Sequence, residues 1–326
     1  MRRDQSALSL CTAVLLSGCS GRQSALDPAG PSAASIHLLG IFMYVGAALV
    51  TLLVTVLMLL PFLRRRESPV NHNLFLWGGG VALPFFTLVA LVPYVMTVGH
   101  ETRAAPAPDR LTIDVTGSLW WWEMAYQRTG GVSAVASANE LRLPAGEPVE
   151  LLLHANDVIH SFWVPNLAGK TDMIPGRVNR MVIQADRPGV YRGQCAEYCG
   201  LQHAKMALWV VAEPQEQFNA WRQNQTQEAV PASSDVQKRG QQVFFATTCV
   251  MCHAISGTAA GSNIGPNLTH VGSRHMIAAA TLENTRDHLA QWIKNSQTFK
   301  PGNKMPQNNL SDADLQALVE YIESLK

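Results

Sequence analysis

The sequence predicts a multidomain chain: a two-helix transmembrane hairpin, then a β-sandwich, then a small all-α domain. Three observations predict it. Residues 36–60 and 74–98 are two apolar runs without Asp, Glu, Lys or Arg, each longer than the roughly 20 residues that span a bilayer. From Leu111 onward the pattern changes to short alternating segments, rich in β-branched and aromatic residues, with Gly and Pro turns between them. Beyond residue 234 helical patterning returns around a second pair of closely spaced cysteines, Cys249 and Cys252. Composition agrees: 47% of the 326 residues are hydrophobic and only 15% charged, a balance that suits membrane segments attached to globular parts. A formal net charge of +1 offers no general attraction for nucleic acid or for an acidic substrate.

Each element follows in order. Met1-Arg2-Arg3 and the apolar stretch Leu8 to Leu16 read as a secretory signal, residues 1–18. Leu16-Ser17-Gly18-Cys19 has the form of a lipobox, so Cys19 is expected to be the acylated mature N-terminus. Residues 19–35, rich in Gly, Pro, Ser and Ala, are expected to form a flexible tether. The membrane hairpin occupies 36–100. Its connection carries Arg64-Arg65-Arg66, which belongs in the cytoplasm, so both flanks face the periplasmic side of a bacterial inner membrane. Ala104 to Pro108 is a linker.

The sandwich domain covers 109–222, with strands expected at 111–116, 120–126, 140–143, 149–154, 180–184, 190–193 and 208–212. Phe218 and Trp221 fall on a short closing helix. Residues 223–234, within a Gln- and Asn-rich stretch from Glu213, read as a flexible linker. The third domain, 235–326, opens with a helix at 236–245 and closes with an amphipathic helix at 311–325, N-capped by Ser311 with Asp314 three residues on.

The loop between the last two expected strands carries the first chemistry. It reads Cys195-Ala196-Glu197-Tyr198-Cys199-Gly200-Leu201-Gln202-His203-Ala204-Lys205-Met206. Thiolate and thioether sulfur are soft ligands and imidazole suits copper. Structural zinc sites use Cys and His but not Met, so Met206 moves the reading from zinc to copper. A mononuclear blue-copper site needs one Cys; two thiolates can bridge two coppers that share one electron. His160, upstream in Asp157-Val158-Ile159-His160-Ser161-Phe162, can supply the second nitrogen. The plainer alternative is a disulfide, but cysteines so close in one loop pair poorly unless the backbone folds back. Copper ligands on the last inter-strand loop make the sandwich a cupredoxin-like Greek key.

Cys249-Val250-Met251-Cys252-His253 carries the second chemistry. C-x-x-C-H is the attachment signature of a covalent c-type haem, with His253 placed as an axial iron ligand. A zinc half-site would need a second Cys pair, and none remains. Lys304-Met305-Pro306 offers Met305 as the sixth ligand; Met276 is the competitor, in surroundings that look helical. His154, His270, His275 and His288 read as surface or packing residues.

C-x3-C-x3-H-x2-M resembles the binuclear copper (CuA) loop of the cytochrome c oxidase subunit II family. The resemblance extends to 157–162, to Lys170-Thr171-Asp172-Met173-Ile174-Pro175-Gly176-Arg177 and to the aromatic run Gly117 to Tyr126, and covers nearly all of 36–222. The third domain resembles class I cytochromes c, with Gly265-Pro266-Asn267-Leu268 as the loop against the haem. The resemblance implies copper ligation by His160, Cys195, Cys199, His203, Met206 and the backbone carbonyl of Glu197. It further implies that the Glu197 side chain helps bind Mg2+ or Mn2+ at the border with subunit I. Asp157, Lys170, Asp172 and Arg177 are then docking residues.

Trp120 matches the family's electron-input residue, with Trp122 in the same segment; Leu119 and Trp121 stand where a Gln and a Tyr are common. Implied partners are subunits I and III of a haem–copper oxidase, a cytochrome c or similar donor, and the lipid membrane. The second apolar run has no acidic residue, where many members carry a Glu beside a proton-uptake path. The expected function is electron input to a dioxygen-reducing, proton-translocating oxidase. The rivals are a nitric oxide reductase subunit with the same copper domain, or a free-standing electron-transfer or copper-delivery lipoprotein.

Overall fold

The structure, a computed structural model, describes residues 21–63, 71–101, 110–127 and 135–326. The signal, Cys19, the arginine connection and the 104–108 linker lie outside the described residues.

Two apolar helices stand first. Helix α1 spans Pro31–Leu63. A π-helical turn, Leu74–Ala82, leads into α2, Leu83–Glu101. Their spans have mean hydropathies of 2.5 and 2.1. They present Phe42, Leu52, Met58, Phe85 and Met96 outward, side chains suited to lipid rather than water. Helix α1 starts earlier than the apolar run, with Pro31 at its first turn, where the missing N–H costs nothing.

The segment before α1 departs from the expected tether. Ala29 is buried, donates to the Asn166 carbonyl at 2.6 Å and accepts from Asp186 N at 2.8 Å. Asn166 Nδ2 in turn reaches the carbonyls of Gly21 and Asp27. The small residues that suggest flexibility also let the backbone lie flat against the sandwich.

Among the described residues, ten strands build that sandwich: β1 Thr112–Ser118, β2 Trp121–Tyr126, β3 Val135–Ala138, β4 Glu140–Pro144, β5 Val149–Ala155, β6 His160–Trp163, β7 Thr171–Met173, β8 Asn179–Ile183, β9 Gly189–Cys195 and β10 Ala207–Glu213. One sheet runs β3-β2-β1-β5-β8 and the other β4-β10-β9-β6-β7. Pairs β1–β5 and β4–β10 are parallel and the rest antiparallel, the Greek-key crossover of a cupredoxin-like fold. Alternate residues point inward: Trp122, Met124 and Tyr126 of β2 are fully buried against Leu151 and Leu153 of β5. Strands β3, β6 and β7 were not expected; each has only three or four residues, too few to show a period. Helix α3, Gln215–Asn224, closes the domain with Phe218 buried.

The third domain packs α4, Asp235–Ala246, against α6, Asp312–Ser324, with α5, Arg286–Lys294, alongside. Ser234 and Gln237 form a capping box on α4, and Ser311 caps α6 by accepting from Asp314 N. Phe244, Leu318, Tyr321 and Ile322 make the core. Met276 sits in a two-residue ribbon, β11 Met276–Ile277 against β12 Leu282–Glu283, and not in a helix.

The expected flexible linker is also docked. After α3, Ala229 N donates to the Ser256 carbonyl at 3.0 Å and the buried His270 meets the Gln227 carbonyl at 3.2 Å. The third domain itself sits on the cysteine loop of the sandwich. His275 hydrogen-bonds Glu140 at 2.9 Å and stacks on Trp209. Gln202 donates to Pro301 O at 2.7 Å, Lys205 to Phe299 O, and Lys300 to Trp120 O at 2.8 Å. His275 is thus an interface residue.

Candidate metal centres

The cysteine loop begins where β9 ends, and its ends are tied: Cys195 N donates to the Met206 carbonyl at 2.9 Å. A one-turn 3-10 helix, His203–Lys205, brings His203 back toward the cysteines. His160 arrives from β6, and its ring lies over Gly117 of β1, where a Cβ would come within 2.9 Å of it. Gly200 holds φ at +107°, a conformation open to glycine, and its missing side chain leaves room for the Trp120 ring.

The donor atoms converge. Cys195 Sγ lies 3.8 Å from Cys199 Sγ, 3.9 Å from His160 Nδ1 and 3.2 Å from the Glu197 carbonyl. Cys199 Sγ lies 3.6 Å from His203 Nδ1 and 3.8 Å from Met206 Sδ. His160, Cys195, Cys199 and Met206 are all buried. The contact between the two sulfurs lowers the Cys195 thiol and raises Cys199, easing the loss of one proton toward the thiolate form that binds metal. This set of two thiolates, two imidazole nitrogens, a thioether and a carbonyl fits a pair of copper ions.

Asp157 contributes differently from the docking role expected of it. Its Oδ1 accepts from His160 Nε2 at 2.9 Å and its Oδ2 from Leu119 N at 2.8 Å. That bond leaves Nδ1 bare toward the sulfurs, the carboxylate–histidine–metal arrangement that orients a ligand ring. An acid three residues before a ligand histidine is the sequence signal that points to it. Lys170 pairs with Asp172 at 3.0 Å and approaches Glu197 at 4.0 Å, and the Glu197 carboxylate is half exposed.

The second centre is a hole. A cavity of about 420 Å³ in the third domain is lined by Cys249, Cys252, His253, Met276 and Met305. Pro266 O accepts from His253 Nδ1 at 2.7 Å, so that ring is protonated on Nδ1 and keeps Nε2 bare. Burial lowers the His253 pKa, favouring the neutral, ligating form. Arg274 also lines the cavity, donating to Asn267 O; burial pulls it to about 10. It has no ion pair with a carboxylate among the described residues, which suits the acid groups that a haem carries. The residues present fit a haem.

Leu119, Trp120 and Trp121 of the sandwich line the same cavity. Trp120 is 8% exposed, not the surface ring that its expected role suggested: it belongs to the sandwich core, packs on Gly200 of the copper loop, and lines the cavity. Its Nε1 donates to the Cys199 carbonyl at 2.8 Å. Trp122 is fully buried, packed on His160 and Phe162. Lys300 was not singled out in the sequence. It is 3% exposed, and burial first, then the nearby Lys205, lowers its pKa to about 7.

Comparison with known proteins agrees with this geometry. The periplasmic domain of cytochrome c oxidase subunit II matches residues 123–213, and the cytochrome c family matches residues 237–326. Cytochrome c oxidase subunit 2 of Alkalihalophilus pseudofirmus is 36% identical, over 96% of this chain and 94% of its own. The subunit of the same description from Bacillus subtilis is 31% identical, over 96% of this chain and 95% of its own. Among solved structures, the periplasmic domain of subunit II of cytochrome oxidase from Bradyrhizobium japonicum is 31% identical, covering 38% of this chain and 97% of that one, with a TM-score of 0.35. With two membrane-length helices, a convergent thiolate–imidazole–thioether loop and a second domain built around a C-x-x-C-H cavity, the chain belongs to the cytochrome c oxidase subunit II family and carries a cytochrome c domain.

Proposed function

We propose that this chain is the electron-input subunit of a respiratory oxidase. Electrons enter from cytochrome c or a similar donor at the third domain, pass to the copper loop, and leave to subunit I, which reduces dioxygen with proton translocation. Cys249 and Cys252 would bind haem c covalently, and His253 and Met305 would hold its iron. His160, Cys195, Cys199, His203, Met206 and the Glu197 carbonyl hold the two coppers. When bound, these groups supply two one-electron centres, the copper pair sharing its charge so that little rearrangement accompanies each electron.

The observation that carries this reading is the shared wall. The cavity that fits a haem is lined by Trp120, whose indole is hydrogen-bonded to the copper loop. Because Trp120 is buried and lines that cavity, a soluble donor meets the third domain and not this ring. A docked domain also removes the need for a second diffusional encounter. Met276 lines the same cavity, so Met305→Ala and Met276→Ala distinguish the sixth ligand: the first should abolish the sulfur-to-iron absorption and the second should not.

Lys170, Asp172 and Arg177 would meet subunit I. The half-exposed Glu197 carboxylate offers one oxygen to Mg2+ at that border, and subunit III completes the complex. The hairpin anchors the chain in a bacterial inner membrane with both centres on the periplasmic side, and Cys19 adds a lipid anchor. Copurification from native membranes tests the whole. The chain should bring a haem–copper subunit I, consume dioxygen, and show an unpaired electron spread over two copper nuclei. Nitric oxide consumption without oxygen uptake, or a four-line single-copper spectrum, would contradict it.

A further inference from the structure

We infer that Lys300 is a positioning residue of the path between the haem cavity and the copper loop, fastening the Trp120 backbone to the segment that carries Met305. The inference rests on the functional reading above. Lys300 is the one buried lysine among the described residues. Its Nζ donates to Trp120 O at 2.8 Å and to Ala278 O at 3.4 Å. No carboxylate pairs with it among the described residues. On the far side of the same residue, Trp120 Nε1 donates to Cys199 O at 2.8 Å. Two hydrogen bonds therefore join the cavity wall to a copper-loop carbonyl through a single tryptophan.

The segment bearing Lys300 is itself tied to Met305. Asn303 Nδ2 donates to Lys300 O at 2.6 Å, and Asn303 Oδ1 accepts from Met305 N at 2.8 Å. Met305 O accepts from Ser296 Oγ and Gln297 Nε2, and Ser296 O accepts from Lys300 N. These hydrogen bonds tie 296–305 together, and Lys300 is where the segment grips the sandwich at Trp120. A methionine would fill the same space without the cost of desolvating an ammonium group. What the lysine adds is a donor that reaches a main-chain carbonyl, and a positive charge between the two centres. The donor holds the gap constant. The charge favours the reduced state on either side of it.

The test uses the purified, fully loaded complex at pH 6, reading haem-to-copper transfer by rapid kinetics and both midpoint potentials by titration. Lys300→Met should slow the transfer by up to about 100-fold, the cost of an ångström-scale misplacement, and lower the potentials. Lys300→Gln, which restores a donor but no charge, should recover most of the rate and leave the potentials low. His275→Ala loosens the same interface away from Trp120 and should slow transfer less than Lys300→Met. Wild-type rate and potentials in Lys300→Met, or an equal slowing in His275→Ala, overturn the positioning role. Absence of any haem-to-copper transfer in the wild-type complex overturns the functional reading itself, and the role of Lys300 with it.

Discussion

The copper loop and the haem cavity gather their ligands in opposite ways. In the sandwich, Cys195, Cys199, His203 and Met206 come from a single loop, and only His160 is brought from elsewhere; each donor has another within 4 Å. In the third domain, Cys249 to His253 face Met305 and Met276 across about 420 Å³ of open space. The difference lies in what completes each core. Among the described residues, twenty-nine buried side chains close the sandwich, candidate copper ligands among them. The third domain is closed only when its cavity is filled. One site is preformed by its fold, and the other fold depends on what its site binds.

The largest test of that contrast is to prevent haem attachment. The cavity lies among the core residues Phe244, Leu289, Ile293, Leu318 and Ile322 of the third domain, so what fills it completes that core. Cys249→Ala with Cys252→Ala should therefore leave the third domain unfolded and cut by protease beyond residue 234, while the sandwich survives. A protease-resistant third domain without haem would break the comparison.

Next comes Asp157→Asn. The change keeps the shape but weakens the acceptor that orients His160, so copper affinity should fall by about 10–100-fold, with the thermal unfolding of the metal-free sandwich little altered. Unchanged affinity would return Asp157 to a docking role only. Met206→Leu is smaller still in stability terms. Met206 is fully buried, and a volume-conserving swap costs below ~1.5 kcal/mol, yet removing the thioether should alter the copper spectrum. A wild-type spectrum would remove Met206 from the ligands.

The smallest effect concerns the joint between the two domains. The hydrogen bond that His275 donates to Glu140 raises the His275 pKa above its ordinary 6.5. That stabilisation is complete below 6.5 and is lost as pH rises through the raised value. Glu140 is shifted the other way: burial opposes the shift, but His275 and Arg142 prevail and lower it below 4.5. Its contribution is present above 4.5 and disappears on acidification. Relative to the intrinsic, base-catalysed rate, hydrogen-exchange protection at β4 and at residues 275–284 should fall between neutral and alkaline pH, and Glu140→Gln should flatten the profile. A flat wild-type profile would sink the idea.

The ligand sets were legible in the sequence because their spacing is local: a loop of twelve residues, a pentapeptide, a Lys-Met-Pro. The strands with clear alternation were legible for the same reason. What escaped has no local signature. Glu140 meets His275 across 135 residues, and Lys300 meets Trp120 across 180. Composition also misled in two places, since the small and polar residues before α1 and after α3 read as free chain but lie against the domains. Flexibility was inferred from residue type, whereas docking depends on the surface opposite.

The central claim is that electrons reach the copper loop through the fused haem domain and not directly from a donor. Stopped-flow mixing of the oxidised complex with reduced cytochrome c, following haem c and copper absorption separately, tests it most directly. Because Trp120 is buried and lines the cavity of the third domain, haem c should be reduced first, and copper should follow at the rate at which haem c is reoxidised. Copper reduction that precedes haem c, or that persists at full rate when Met305→Ala has disabled the haem, would contradict the account.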